Sequence, residues 1–311
     1  MAAYNKLYNK GELGTRVEQA RAILKECRLC PRQCGVNRLA GESGKCHITK
    51  KALVSSYGPH FGEEAPLVGR HGSGTIFFTY CNLRCLFCQN YTISQLGEGS
   101  AVDREELAGM MLSLQAKGCH NINLVSPTHV VPYILEAVEL AAGNGLHLPL
   151  VYNCGGYDGV ETLRLLEGVV DIYMPDMKYS DAKTAEELSG IKDYPLANRA
   201  AIKEMHRQVG DLKIDEEGVA QRGLLVRHLV LPERLAGSEG VVSFLAQEIS
   251  TNTYLNIMAQ YRPCHKAFEV PSLARPLYQQ EFNEAIELAQ RHGLYRLDKG
   301  YLPLNAYPNL E

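Results

Sequence analysis

The sequence predicts an α/β fold, a partial barrel of six strand–helix units with a cysteine-rich extension at its N-terminus. Two observations carry this prediction. From residue 75 onward, short apolar runs alternate with longer stretches of helical periodicity, which implies parallel strands joined by right-handed crossovers. The 311 residues suffice for one barrel of roughly 200–250 residues plus an appended segment.

The elements follow in order. Residues 1–26 read as a lead-in helix, with Val17, Ala20, Ile23 and Leu24 at helical spacing. Cys27, Cys30, Cys34 and Cys46 come next, in CRLCPRQCGVNRLAGESGKC. Gly35, Gly41 and Gly44 loosen the connection so that the last sulfur can return to the first three. Four thiolates this close together point to a metal, and zinc or an auxiliary iron–sulfur cluster would suit them. Residues 47–74, punctuated by Gly58-Pro59, Gly62, Gly69, Gly72 and Gly74, read as a loop or short hairpin.

The stretch 75–90, TIFFTYCNLRCLFCQN, organises the rest. Residues 75–80 are apolar, β-branched and aromatic, as in a buried strand. Cys81, Cys85 and Cys88 follow at once, spaced C-x3-C-x2-C. Three thiolates on one tight loop suit an iron–sulfur cluster in which one iron has no protein ligand. A structural zinc site wants four ligands, and a disulfide framework wants an even count and an oxidising compartment.

Further strands are expected at 121–125, 148–153, 169–174, 223–231 and 253–258. Helices are expected at 103–117, 130–143, 160–167, 182–188 with 197–208, and 239–249. Pro271 and Pro276 break regular structure in an irregular stretch over 264–276, and a final helix is expected near 278–292. The chain thus divides into an N-terminal helix and cysteine-rich metal-binding segment (1–74), a partial barrel (75–263) and a C-terminal irregular segment with a helix (264–311). Cys119 and Cys264 read as incidental thiols.

Composition narrows the function classes. Apolar residues make up 45% and charged residues 22%, with net charge −3 and mixed signs. Nothing here points to nucleic acid or an anionic membrane. No apolar stretch approaches the ~18 residues of a membrane span. Lys6, Lys10 and Glu12 precede any apolar run, so no signal peptide is expected. Ten cysteines without such a signal indicate metal binding in a reducing cytoplasm.

In barrels of this kind functional residues lie at the carboxyl ends of the strands. Ser126-Pro127-Thr128-His129 follows the second expected strand, where Thr128 or His129 could contact a ligand and Thr128 could equally cap a helix. Asn153-Cys154-Gly155-Gly156 follows the third, its glycines permitting close backbone approach. Asp176 and Lys178 follow the fourth and share one side of an extended segment. Arg227 sits inside an apolar run and needs a partner there; a carboxylate suits it. His228 alternates to the other face and is expected to be structural. The sixth strand ends in Met258-Ala259-Gln260-Tyr261-Arg262-Pro263.

The C-x3-C-x2-C loop at the end of a first barrel strand, with Cys88-Gln89-Asn90 after it, resembles the radical S-adenosylmethionine (SAM) superfamily. Together with NINLVSPTHV, LPLVYNCGGY, VDIYMPDMKY, LLVRHLVLPE and NIMAQYRP, it is similar to the pyruvate formate-lyase activating enzyme-like branch. CRLCPRQC is typical of an uncharacterised subgroup there. The resemblance spans about residues 27–292. It implies a partial (β/α)6 TIM-like barrel of the radical SAM type, a 4Fe-4S cluster on Cys81, Cys85 and Cys88, and SAM chelated by the open iron. SAM would be cleaved reductively to a 5′-deoxyadenosyl radical for hydrogen abstraction, with electrons from flavodoxin or ferredoxin.

By the same resemblance, Phe87 would lie near the adenine, Asn90 would contact the SAM amino group and Arg227 its carboxylate. Met174, Asp176 and Lys178 match a Met-x-Asp-x-Lys run that helps build a SAM and monovalent-cation site. Asn153 stands where the branch carries the Asp of an Asp–Thr pair. Ser126-Pro127-Thr128-His129 stands where many superfamily members carry Gly-Gly-Glu, so Thr128 becomes a candidate for the amine. The implied activity is activation of a glycyl radical enzyme, or else radical modification of a small molecule or peptide.

Overall fold

The computed structural model describes residues 2–298. Its sheet contains β1 (Ala52–His60), β2 (Ser73–Phe78), β3 (Ser100–Val102), β4 (Ile122–Val125), β5 (Leu150–Cys154), β6 (Ile172–Pro175), β7 (Lys213–Ile214), β8 (Ala220–Leu229) and β9 (Tyr254–Met258). The order is β3-β1-β2-β4-β5-β6-β8-β7, with β9 also paired to β8. Strands β2, β4, β5, β6, β8 and β9 pair in parallel in that sequence, and these are the six expected barrel strands. Strands β1 and β3 add antiparallel to the free side of β2, and the sheet is not closed.

The central parallel strands are buried on both faces, as helical crossovers require, whereas β9 alternates buried and half-buried residues. Burial is complete along β5 and β6. The crossover Val131–Gly143 is apolar almost all round, because the N-terminal helix Glu12–Ile23 covers its outer side, with Arg21 Nη1 donating to Glu136 at 2.7 Å. Helix Arg104–Ala116 starts at a capping box of Asp103 and Glu106. The fourth crossover uses Ala182–Ser189 and Tyr194–Val209, and the fifth, Ser238–Phe244, runs into a π turn at Leu245–Ile249.

Two expectations change. The segment 47–74 is not a loop or short hairpin: it contains the nine-residue strand β1. Gly58-Pro59 punctuates the sequence but does not interrupt the strand. β3 pairs only with residues Ala52, Leu53 and Val54, so Pro59 lies on an open rim where no N–H is needed. The lead-in helix is two helices, Tyr4–Asn9 and Glu12–Ile23, separated at Gly11, whose φ of 71° is left-handed. The final helix runs Gln279–Arg291. The tail beyond residue 298 lies outside the described residues.

The seam between β6 and β8 positions the site. Regular pairing joins only Ile172 to Gly223 and Tyr173 to Leu224. Contact resumes at Asp176 and Arg227, where Met177 N donates to Arg227 O at 2.7 Å. Pro175, between these contacts, has no N–H to offer.

Candidate active site

The three-cysteine loop turns sharply off β2. Tyr80 and Arg84 take left-handed φ values of 68° and 65°, a strained conformation for residues with side chains. The surrounding structure holds the loop there. Tyr80 N donates to Ile93 O at 3.0 Å, Leu86 N to Leu188 O at 2.9 Å, and Lys266 N to Leu86 O at 2.9 Å. Gln95 Nε2 donates to Cys85 O at 2.8 Å.

Each sulfur has a polar neighbour. Leu83 N donates to Cys81 Sγ at 3.4 Å, and Ser189 Oγ donates to Cys85 Sγ at 3.1 Å. Ser94 Oγ lies 3.1 Å from Cys88 Sγ. Such contacts stabilise a ligating thiolate and tune what it holds. Burial pushes the Cys81 thiol up to about 12 and raises Cys88 as well. Thiols that resist ionising alone are ones that a cationic centre must deprotonate.

Cys81, Cys85 and Cys88 open on a cavity of about 240 Å³ at the carboxyl ends of the strands. Phe87, Asn90, Ser126, Asn153, Gly155, Asp176, Lys178, Arg227, Met258 and Gln260 also line it. Phe87 is buried edge-on to Tyr179 and Tyr261, with centroids 6.3 and 6.0 Å away. Asn90 is exposed at the start of the turn Tyr91–Ser94 and its side chain makes no capping bond.

The cavity wall holds a compact charge network. Asp176 Oδ1 accepts from Arg227 Nε at 2.8 Å, and its Oδ2 accepts from Lys178 Nζ at 2.6 Å. Arg227 Nη2 donates to Asn153 Oδ1 at 2.7 Å. Burial alone would raise the Asp176 carboxyl, but Arg227 and Lys178 overcome this and hold it below its ordinary value. Burial opposes the charge on Lys178, yet Asp176 and Cys85 outweigh it and raise the ammonium.

Sequence reasoning missed two members of this network, Glu63 and Glu64. Glu63 Oε2 and Glu64 Oε1 each lie 3.9 Å from Arg227, and Asn256 Nδ2 donates to Glu64 at 3.0 Å. Burial pushes the Glu63 carboxyl up to about 7, against the pull of Arg227 and with the help of Glu64. The available signal was an acidic pair directly before the apolar turn Ala65–Val68.

Other expected residues lie elsewhere. Thr128 is buried and not among the residues lining the cavity; its Oγ1 donates to Asp158 Oδ1 at 2.7 Å, and Tyr152 OH donates to the same atom at 2.9 Å. Ser126, with a left-handed φ of 58°, faces the cavity instead. His228 is buried between Met177 O at 2.7 Å and Ser238 Oγ at 2.9 Å. Gly155 approaches the cysteine loop itself: a Cβ there would meet Leu83 Cδ1 at 2.3 Å.

Cys27, Cys30, Cys34 and Cys46 line a second cavity with Arg38, Asn82 and His129. The first turn is closed by Cys27 N donating to Val36 O at 2.9 Å and Gly35 N donating to Cys27 O at 3.0 Å. Gly44 has no room for a side chain, since a Cβ would meet Cys34 Sγ at 2.7 Å. This segment rests on the three-cysteine loop: Arg32 Nε donates to Asn82 O at 3.0 Å and Arg84 Nη1 to His47 Nε2 at 2.8 Å.

An open parallel barrel with a three-cysteine loop at its carboxyl mouth is a site suited to an iron–sulfur cluster. The chain carries a radical SAM superfamily domain, whose model matches residues 75–213. It is 34% identical over 292 residues to an uncharacterized protein, MJ0674, of Methanocaldococcus jannaschii, covering 91% of this chain and 79% of the relative. A second uncharacterized protein of that organism, MJ0808, is 27% identical over 168 residues, 49% of each chain. Among solved structures, a radical SAM methyltransferase from Sphaerobacter thermophilus is similar with TM-score 0.49 and 16% identity, over 73% of this chain and 67% of that one. HydG, a maturase of the [FeFe]-hydrogenase, is similar with TM-score 0.48 and 13% identity, over 70% and 48%.

The family implies a 4Fe-4S cluster and SAM, and the residues present fit them. The three sulfurs have donors aimed at them and share one cavity, with the Lys178 ammonium close enough to favour the Cys88 thiolate. Among the described residues no three His, Cys, Asp or Glu side chains converge on a single-ion position.

Proposed function

We propose that the chain is a radical SAM enzyme of the pyruvate formate-lyase activating enzyme-like branch, acting on a backbone glycine of a partner glycyl radical enzyme. When bound, the cluster and SAM together supply a 5′-deoxyadenosyl radical that removes a hydrogen atom. The carrying observation is that Cys81, Cys85 and Cys88 share one cavity with Asn90, Asn153, Asp176, Lys178 and Arg227.

The roles proposed for the chain's own groups follow from that wall. Cys81, Cys85 and Cys88 hold the cluster, and the Lys178 ammonium offsets its negative charge. Asn90 at the rim takes the amino end of SAM, and Phe87 borders the adenine. Arg227, fixed by Asp176 and Asn153 and with Nη1 3.9 Å from Glu63, is the proposed contact for the carboxylate. Ser126 is a better candidate than Thr128 for a further polar contact, because Thr128 is committed to Asp158.

Cys27, Cys30, Cys34 and Cys46 are proposed to hold a second metal centre, zinc or iron–sulfur. Ten free cysteines favour the reducing cytoplasm, and a flavodoxin or ferredoxin is the proposed electron source. The alternative substrate, a small molecule or peptide, is favoured by the packing of Arg32 and His47 against the loop, which sets the cysteine-rich segment beside the cavity-lining Arg84.

Anaerobically reconstituted protein, given dithionite and SAM, is expected to release 5′-deoxyadenosine, and Cys85→Ala to release none. No product from wild type with a verified cluster overturns the enzymatic reading. Incubation with a candidate glycyl radical enzyme should produce a protein radical visible by electron paramagnetic resonance (EPR). Product without that signal in any such partner favours the alternative substrate.

A further inference from the structure

Arg38 is fully buried in the wall of the four-cysteine cavity. Its Nη1 donates to His129 O at 2.8 Å and lies 4.0 Å from Cys27 Sγ, and its Nε reaches Thr49 O at 3.4 Å. The guanidinium carbon sits 5.5 Å from the centre of the Tyr133 ring. Nη2 is buried without a hydrogen-bond partner. All its protein partners are neutral acceptors, an aromatic face and a sulfur. A buried cation with no counter-charge costs several kcal/mol, so the site is built around a negative group that belongs in the cavity. Thiolates ligating a metal centre supply that charge.

Zinc has no redox chemistry, whereas an iron–sulfur cluster would make use of the contacts that join this site to the Cys81 loop.

The two cysteine sites are also wired together. Asn82 touches both: its Oδ1 lies 3.9 Å from Cys81 Sγ, and it lines the outer cavity together with Cys30. His129 makes a second bridge, taking Arg38 on its carbonyl while its Nε2 donates to Thr79 O at 2.9 Å, two residues before Cys81.

We infer that Cys27, Cys30, Cys34 and Cys46 hold a redox-active iron–sulfur cluster whose buried counter-charge is Arg38, and that this cluster feeds the one on Cys81, Cys85 and Cys88. The inference rests on the cluster assignment made under the proposed function. One electron leaves a low-potential ferredoxin or flavodoxin, reduces the outer cluster, and passes to the inner cluster as the outer one is re-oxidised. No bond or proton changes place. Reduction adds negative charge, so Arg38 stabilises the reduced form and raises its potential.

The test uses full-length protein reconstituted without oxygen. A Cys81/Cys85/Cys88→Ala variant isolates the outer site for metal analysis and an EPR redox titration. It should contain iron and sulfide rather than zinc. Adding Arg38→Gln should shift its reduction equilibrium at least tenfold toward the oxidised form, about 59 mV for a one-electron couple. Arg38→Lys should keep most of the wild-type value. If the triple variant does not fold, Arg38→Gln in the wild-type background should move one of the two EPR signals and leave the other in place. In that background, reduction of the inner cluster by reduced ferredoxin, followed by freeze-quench EPR, should slow at least tenfold. Zinc at the outer site, an unmoved potential, or an unchanged rate each overturns the inference. Release of 5′-deoxyadenosine by dithionite-treated Arg38→Gln preserves the proposed function even then, whereas its absence in wild type sinks that reading separately.

Discussion

Asp176 divides its carboxylate between two cations, Oδ1 accepting from Arg227 at 2.8 Å and Oδ2 from Lys178 at 2.6 Å. Arg227 belongs to β8 and Lys178 follows β6, so one side chain closes the gap between two strands and fixes both positive groups against the cavity. A buried charge in an apolar run was expected to need a carboxylate; the chain supplies its own.

Asp176→Asn should therefore cost about 3–5 kcal/mol, because it strands two buried cations. Anaerobic denaturant unfolding would measure it. The Asp176 carboxyl is held below its ordinary value, so its contribution is present above the unfolded carboxylate range, ~3.9, and is lost as pH falls through the lower folded value. The wild-type advantage over Asp176→Asn should accordingly shrink in acid.

Glu63 should behave in the opposite way. Burial raises it from 4.5 to about 7, so between these values the unfolded chain has released a proton that the folded chain retains. Stability then declines as pH rises through that window and levels off above it. Glu63→Gln should remove the decline and gain on the order of 1–3 kcal/mol over wild type at about pH 8. Unfolding midpoints of both proteins across this range would check it.

Ser189→Ala should leave the fold intact and lower the potential of the inner cluster. It deletes the hydroxyl 3.1 Å from Cys85 Sγ, a donor worth up to roughly 1.5–3 kcal/mol against a charged acceptor. EPR-monitored titration reads the shift; an unchanged potential would mean that Cys85 Sγ does not ligate.

Gly156→Ala should destabilise by about 2–4 kcal/mol. Its φ is 74°, and a Cβ would sit 2.3 Å from Asp176 O and 2.2 Å from Asn198 Nδ2. Thermal unfolding under nitrogen is the measurement, with Gly210→Ala, which has φ 70° and open space around it, as the control for backbone strain alone.

The sequence revealed some layers of this molecule better than others. The six parallel strands were legible because a strand buried on both faces is a short apolar run between helical stretches. The cysteine loop was legible because its spacing is local. What depends on distant pairing was not. β1 hid behind Gly58-Pro59, since only its place on an open rim makes that proline harmless. Glu63 and Glu64 reach Arg227 across more than 160 positions of sequence. Thr128 and Ser126 are two residues apart, and no local pattern tells which faces the cavity and which faces Asp158.

Pro175 gives the seam its last meaning. A residue with an N–H there could extend the ladder between β6 and β8 and draw the strands together up to their tips. With that rung missing, the ladder pauses at Pro175 and is taken up again at Asp176 and Arg227. The imino acid thus hands the next rung to the two residues whose side chains charge the cavity wall.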